Sequence, residues 1–427
     1  MPLASAVADR GRASWGALRS RAVDARAERT AELDPLLRAH AARFQERFGH
    51  APGVRLFFSP GRVNLMGAHL DYNGGPVMPM AIDRGTFIAV RLREDELLNL
   101  ASTLEEGALS VPLDSLPRRA SGKWYDYPLG VVIHLLREER AAHGADILFG
   151  GNLPIGAGLS SSASICVGTA HALASVWERP TDPLDSIAAA LWGEREFVGV
   201  RCGIMDPYAV ALTRPGHLLW LNCRDERYEH LPLDSTKITV AVVDSGIRRG
   251  LAHGDFNRRV AECARAFELL KARGVAADCL ASVPEEAVEA HADALDPVLA
   301  RRARHVVSEV RRTRQAREAL LERDFERLGR CISATHESLR DLYEVSVPEL
   351  DCIVEAAHAW RGCLGARLTG AGFGGCAVVL LRSESRELEK DAREAFARNV
   401  QAAFEARFHR TPSVGFFRGD AGPRELV

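Results

Sequence analysis

Residues 145–177 read ADILFGGNLPIGAGLSSSASICVGTAHALASVW. A short apolar run, a Gly/Ser-rich turn and a breaker-free run of small apolar residues predict a strand, a loop and a buried helix in that order. Gly156 and Gly158 remove side chains, so backbone N–H groups can approach an anion closely. Ser160, Ser161 and Ser162 fall at the helix start, where unpaired N–H groups and the positive dipole end favour phosphate. The competing reading is an ordinary Gly/Ser turn that caps a helix, since Ser is a preferred N-cap. No GxxxxGK(S/T) occurs in the chain, so this cradle lacks the lysine of a P-loop.

Two further Gly-rich segments lie far away in sequence, PGRVNLMGAHLDYNGG at 60–75 and LTGAGFGG at 368–375, with GIMDP at 203–207 between them. The first sits between two β-rich alternating runs, VRLFFSPGRVNLM and TFIAVRLR, and so reads as a loop at strand ends, where substrate groups are usually held. HLLWLNC, ITVAVVDSG and SVGFFRG read as strands, and the charged, periodic stretch 255–345 as solvent-facing helices. At 427 residues and 47% hydrophobic the chain is long enough for two cores, with a site expected between them.

A formal net charge of -2 gives no bulk attraction to nucleic acid or an anionic membrane, so any bound anion needs a local site. Nine cysteines without a CxxC pair or a Cys/His cluster indicate neither a disulfide framework nor a structural zinc. With no membrane-length apolar run and with charges near the N-terminus, a soluble cytoplasmic protein is expected.

Taken together and in this order, the segments resemble the galactokinase branch of the GHMP superfamily of small-molecule kinases. The resemblance runs from about residue 40 onward and includes THESLRDLYEVSVPELD at 335–351. It implies an α+β, two-domain fold: an N-terminal domain like the second domain of ribosomal protein S5 and a ferredoxin-like C-terminal domain. We place a tail and helix at 1–40 and the two domains at 41–225 and 226–427. The implied activity is ATP- and Mg²⁺-dependent phosphorylation of the C1 hydroxyl of a small-molecule sugar, by a monomer with no nucleic-acid or membrane partner.

Carried over residue by residue, Asp206 is the carboxylate beside the C1 hydroxyl and Arg62 its neighbour, keeping it ionised and neutralising phosphoryl charge. Asp206 followed by Pro207 is also a good helix-capping pair, and Arg62 could form a plain surface ion pair. Pro154, Gly156, Gly158, Leu159 and Ser160–Ser162 match the ATP phosphate loop, and Ser162 with Glu194 matches the Mg²⁺ ligands. For Glu194, a solvated helix charge is the alternative. Trp124 and Tyr127 match the aromatics near adenine, although two aromatics three apart also suit a core. Gly370 and Gly372 would let the third segment approach the phosphate loop and sugar site.

The sugar residues implied are Ala68, His69, Asp71, Gly203 and Phe256, with Asp71 accepting two ring hydroxyls. Two of these positions, and the neighbouring Pro207, depart from the family. Ala68 replaces the Glu of GEHTDYNGG that contacts the C6 hydroxyl, Phe256 replaces a sugar-contacting Tyr, and Pro207 replaces a common Gln. Loss of the Glu removes a charge-assisted hydrogen bond to a neutral hexose, worth about 1.5–3 kcal/mol. It also removes about 4 kcal/mol of repulsion toward a C6 carboxylate. The GAH form is similar to plant galacturonokinases, so galacturonate stands beside galactose as a substrate. A non-catalytic sugar and ATP sensor is a third reading.

Overall fold

The computed structural model describes residues 35–426 except 51, 139–142, 154–157, 248–251 and 384–388. A helix through residues 35–48 (α1) precedes β1 (Arg55–Asn64), β2 (Pro76–Val77), β3 (Pro79–Leu92), β4 (Leu97–Ser102), β5 (Leu109–Pro112), α2 (Asp126–Glu138) and β6 (Ala145–Gly151). Next come α3 (Ser161–Val176), α4 (Pro183–Trp192), a π-helical turn (Gly193–Val198), α5 (Met205–Leu212), β7 (His217–Asn222) and β8 (Tyr228–Pro232). The remainder comprises β9 (Ile238–Asp244), α6 (Ala252–Ala272), α7 (Glu285–Ala290), α8 (Pro297–Leu321), α9 (Phe325–Asp341), α10 (Pro348–His358), β10 (Cys363–Thr369), β11 (Cys376–Arg382), α11 (Glu389–Phe408), β12 (Ser413–Phe417) and β13 (Arg424–Glu425).

Local chemistry sets several of these boundaries. Asp182 and Asp296 cap α4 and α8 with their carboxylates, and each is followed by a proline whose missing N–H costs nothing at the first helical position. The first sheet runs β13-β1-β3-β6-β4-β5, the second β10-β11-β9-β12 and the third β2-β7-β8. Strands β1 and β3 pair antiparallel from Arg55↔Val90 to Asn64↔Pro79, with the register shifting between Pro60 and Gly61. A Cβ on Gly61 would lie 2.6 Å from Leu153 Cδ1 and 2.8 Å from the Leu159 carbonyl. Bare backbone therefore lets β1 run against the glycine loop, and the next residue is Arg62.

Helix α3 is buried through most of its length, as its small apolar composition requires. It lies directly on the first sheet, because a Cβ on Gly168 would meet Ser59 Cβ at 2.6 Å. One hydrophobic cluster is continuous from α3, α4 and α5 into β9, α6, α8, α10 and α11, so the two halves share a core. The boundary expected at 225/226 falls in the turn of the hydrogen-bonded β7–β8 pair, and β13 returns to β1. The chain therefore crosses between the halves more than once. Among the described residues no helix is long and apolar enough to cross a membrane.

Candidate active site

The end of β1, the start of α3 and the start of α5 meet around Arg62. Its Nε donates to Asp206 Oδ1 at 2.7 Å and its Nη2 to Oδ2 at 2.8 Å, a bidentate pair. Its Nη1 donates to the Gly158 carbonyl at 2.7 Å, and its backbone N–H to the Leu159 carbonyl at 3.1 Å. One residue thus ties the carboxylate to the glycine loop. The Arg62 side chain is 6% exposed and that of Asp206 31%, so this is a cleft pair rather than a surface one. The Ser160 hydroxyl also donates to Asp206 Oδ2.

Asp206 does not cap α5, although the Asp-Pro pair allowed it: the N-cap is Ile204, without a side-chain cap bond. The helix start is instead held by Asp71, whose Oδ1 accepts from Ile204 N at 2.8 Å and Oδ2 from Met205 N at 3.2 Å. Burial, then the charge of Asp206, push the Asp71 carboxyl up to about 6. Gly203 makes room for it, since a Cβ there would sit 1.9 Å from Asp71 Oδ2. Both oxygens of Asp71 already accept an amide, so only its remaining lone pairs are open to a sugar.

Glu194 lies in the π-helical turn and is 3% exposed, which removes the reading of a solvated charge. Burial pushes its carboxyl up to about 7, with Asp206 adding to this and the Ser162 hydroxyl opposing it. The Cys202 thiol lies 3.8 Å from its Oε2. A buried carboxylate beside a serine hydroxyl is a hard-oxygen pair, and it fits a Mg²⁺ ion that takes few protein ligands. No cluster of three or more His, Cys, Asp or Glu suited to a metal occurs among the described residues.

On the other side of Asp71, His69 holds a left-handed backbone (φ 58), its carbonyl accepting from Asn73 Nδ2 at 2.7 Å. Its Nδ1 lies 2.8 Å from the Tyr72 hydroxyl, which lies 2.7 Å from that of Tyr343. Phe256 packs edge-on to Tyr72 at 5.4 Å and near His69 at 6.2 Å. Ala68 is 3% exposed. Glu309 Oε1 accepts the Gly67 and Ala68 amides at 3.0 and 3.1 Å, and His305 Nε2 donates to the Ala68 carbonyl at 3.2 Å. Burial holds His305 down to about 3, so it is neutral, with the proton on Nε2 and Nδ1 free to accept from Ser338.

The galactokinase galactose-binding signature matches residues 42–92, the GHMP kinases N-terminal domain 126–214 and the GHMP kinases C-terminal domain 316–406. The galactokinase of Chloroflexus aurantiacus is 40% identical over 345 residues, covering 80% of this chain and 87% of that protein. The chain belongs to the galactokinase branch of the GHMP kinases. The Bacillus subtilis galactokinase is 37% identical over 80% of this chain and 88% of its own length. The crystal structure of Lactococcus lactis galactokinase complexed with galactose superposes with a TM-score of 0.85 at 32% identity, covering 92% of this chain and all (100%) of that one. A sugar kinase, hence a phosphotransferase, with the GHMP two-domain α+β fold is thereby established.

Within this kinase the expected site residues fall into groups. Arg62, Asp206, Asp71, Gly203, Gly158, Leu159 and Ser160 form one contiguous constellation, and Ser162 joins Glu194. Pro154 and Gly156 lie outside the described residues. Trp124 and Tyr127 do not form a facing pair. The Trp124 indole donates to the Gly107 carbonyl at 3.2 Å and packs edge-on to Phe149, whereas Tyr127 packs against the shared core.

In the third segment, a Cβ on Gly372 would come within 2.4 Å of the Val345 carbonyl, so this glycine, at φ 80 like Gly370, fits the turn onto the α9–α10 linker. The link to the first segment comes from Arg367, whose guanidinium donates to the carbonyls of Asn64 and Leu65 at 2.5 and 2.8 Å.

Sequence reasoning missed Arg367, Ser160 as a partner of Asp206, and the Glu309–His305 pair. Arg302, His305, Glu309 and Thr313 are all buried on α8. Their i, i+3, i+7, i+11 spacing is a helical stripe inside a stretch that reads as charged and solvent-facing, and that spacing was the available signal.

Proposed function

We propose that the chain transfers the terminal phosphoryl group of ATP to the C1 hydroxyl of galactose. The observation that carries this reading is the bidentate Arg62–Asp206 pair, tied through the same guanidinium to the glycine loop. In the transfer, the C1 oxygen bonds to the terminal phosphorus, the bond from that phosphorus to the ADP oxygen breaks, and the hydroxyl proton passes to Asp206. Arg62 neutralises charge on the group in transit. Ser162 and Glu194 would hold Mg²⁺, which when bound neutralises the phosphate oxygens. Retention of the serine run, Arg62, Glu194 and Asp206 supports catalysis over a sensor role.

Galactose is preferred over galacturonate on electrostatic grounds. In the orientation the family resemblance implies, C6 meets Ala68 and His69, and Phe256 stands where a sugar-contacting Tyr stands in the family. There the Ala68 amide is held by Glu309, whose charge is already paired with Arg312, and its carbonyl by the neutral His305, while the rings of His69, Tyr72 and Phe256 pack on one another. Such surroundings favour a neutral hydroxymethyl over a carboxylate. An initial-rate screen with ATP and Mg²⁺ tests this: turnover of galactose well above that of galacturonate is expected, and the reverse order overturns it.

A further inference from the structure

Ser160 is the N-cap residue of α3, yet it makes no side-chain cap bond to that helix. A serine in this position ordinarily accepts from the second or third amide of its helix. Here the residue adopts a left-handed backbone (φ 60, ψ 50), is 8% exposed, and turns its hydroxyl away from the helix to donate to Asp206 Oδ2. Its carbonyl still accepts the first helical bond, from Ser164 N at 2.9 Å. The left-handed backbone is unfavourable for a residue with a Cβ, and it is kept where its side chain reaches the carboxylate.

A carboxylate has two acceptor positions on each oxygen. Among the described residues, Asp206 Oδ2 receives both Arg62 Nη2 and the Ser160 hydroxyl, while Oδ1 receives only Arg62 Nε. Oδ2 is thus full, and among the described residues Oδ1 has one position left. We propose that Ser160 is a positioning residue of the phosphoryl transfer, which fills Asp206 Oδ2 so that the acceptor hydroxyl can meet Oδ1 alone. This rests on the reading of the chain as a kinase in which Asp206 meets the sugar hydroxyl. Without the Ser160 hydroxyl, the sugar hydroxyl has two oxygens to choose between, one of them misaligned with the transferring phosphorus. The sugar still binds, and fewer bound complexes are in line.

Ser160→Gly is the informative variant, because glycine accepts the left-handed backbone and removes only the hydroxymethyl group. The expected result is a kcat about 10- to 100-fold lower, the size of a lost hydrogen bond to a charged group. The KM for galactose should stay within about twofold, with ADP affinity by calorimetry and thermal stability unchanged or improved. In an Asp206→Ala background the same change should have no further effect on the residual rate. Three results overturn the inference: wild-type kcat in Ser160→Gly, a loss confined to ADP affinity and the KM for ATP, or an undiminished effect in the Asp206→Ala background. Failure of the underlying reading looks different, since the wild-type protein would then show no sugar-dependent ATP turnover.

Discussion

At the scale of single residues, the site is built by carboxylates in unlike surroundings. Asp206 is gripped by Arg62, Asp71 by two helix amides, and Glu194 lies buried against Ser162. Asp71 has a testable pH signature. Its carboxyl is raised from the usual 3.8 to about 6, so the fold favours its protonated form. That contribution to stability is present below the unfolded value and lost as pH rises through about 6. Relative to Asp71→Asn, wild-type stability should therefore fall between about pH 4 and 6 in thermal melts. A difference growing over that interval would reverse the sign and the assignment. Ala68→Glu places a carboxylate at the C6 end and should raise the galactose to galacturonate ratio of kcat/KM about tenfold or more. An unchanged ratio would separate Ala68 from sugar choice. The residues in glycine-rich motifs were legible in the sequence because turns and anion cradles demand particular chemistry. Ser160 as a partner of Asp206 was not, since the two are far apart in the chain and only tertiary packing brings them together.

At the scale of elements, α5 presents Asp206 only because Asp71 anchors its first turn, and Asp71 fits only because position 203 lacks a side chain. Gly203→Ala should expel the Asp71 carboxylate, lowering stability by about 2–4 kcal/mol and kcat by at least about tenfold. Urea unfolding with parallel assays measures both, and a variant unaffected in both would remove α5 anchoring from the account. Strands β1, β3, β6, β7, β9 and β12 and helix α3 were readable from apolar patterning and breakers. Helix α8 was readable as a helix, but its buried stripe was not recognised. Its charges look like those of a surface helix until Glu309 is seen accepting the amides of Gly67 and Ala68. The nucleotide role of Trp124 and Tyr127 rests on resemblance to the family's aromatic pair, and the two side chains pack into different clusters.

At the scale of the whole molecule, the halves are joined by a continuous core and by Arg367, a fully buried guanidinium that β10 extends to the end of β1. Burial lowers its pKa to about 10, which leaves it charged at neutral pH. Arg367→Met should strand the buried Leu65 carbonyl and leave that of Asn64 with only the Thr369 hydroxyl among the described residues, costing about 2–4 kcal/mol, and should loosen the loop that follows them. A raised KM for galactose together with a lower unfolding midpoint is the expected pair of results. Loss of stability with sugar kinetics intact would limit Arg367 to holding the fold. The two-domain plan was legible from length and motif order, but the repeated crossing between halves was not, because β13 carries no local pattern that points to β1. The central claim is phosphoryl transfer to the C1 hydroxyl of galactose with Asp206 as proton acceptor. Phosphorus NMR of the product formed from ATP, Mg²⁺ and galactose tests it most directly, comparing wild type with Asp206→Asn. The account predicts an anomeric sugar phosphate from wild type and at least about a thousandfold slower formation by the folded variant; phosphorylation at another hydroxyl, or an Asp206→Asn rate near wild type, would contradict it.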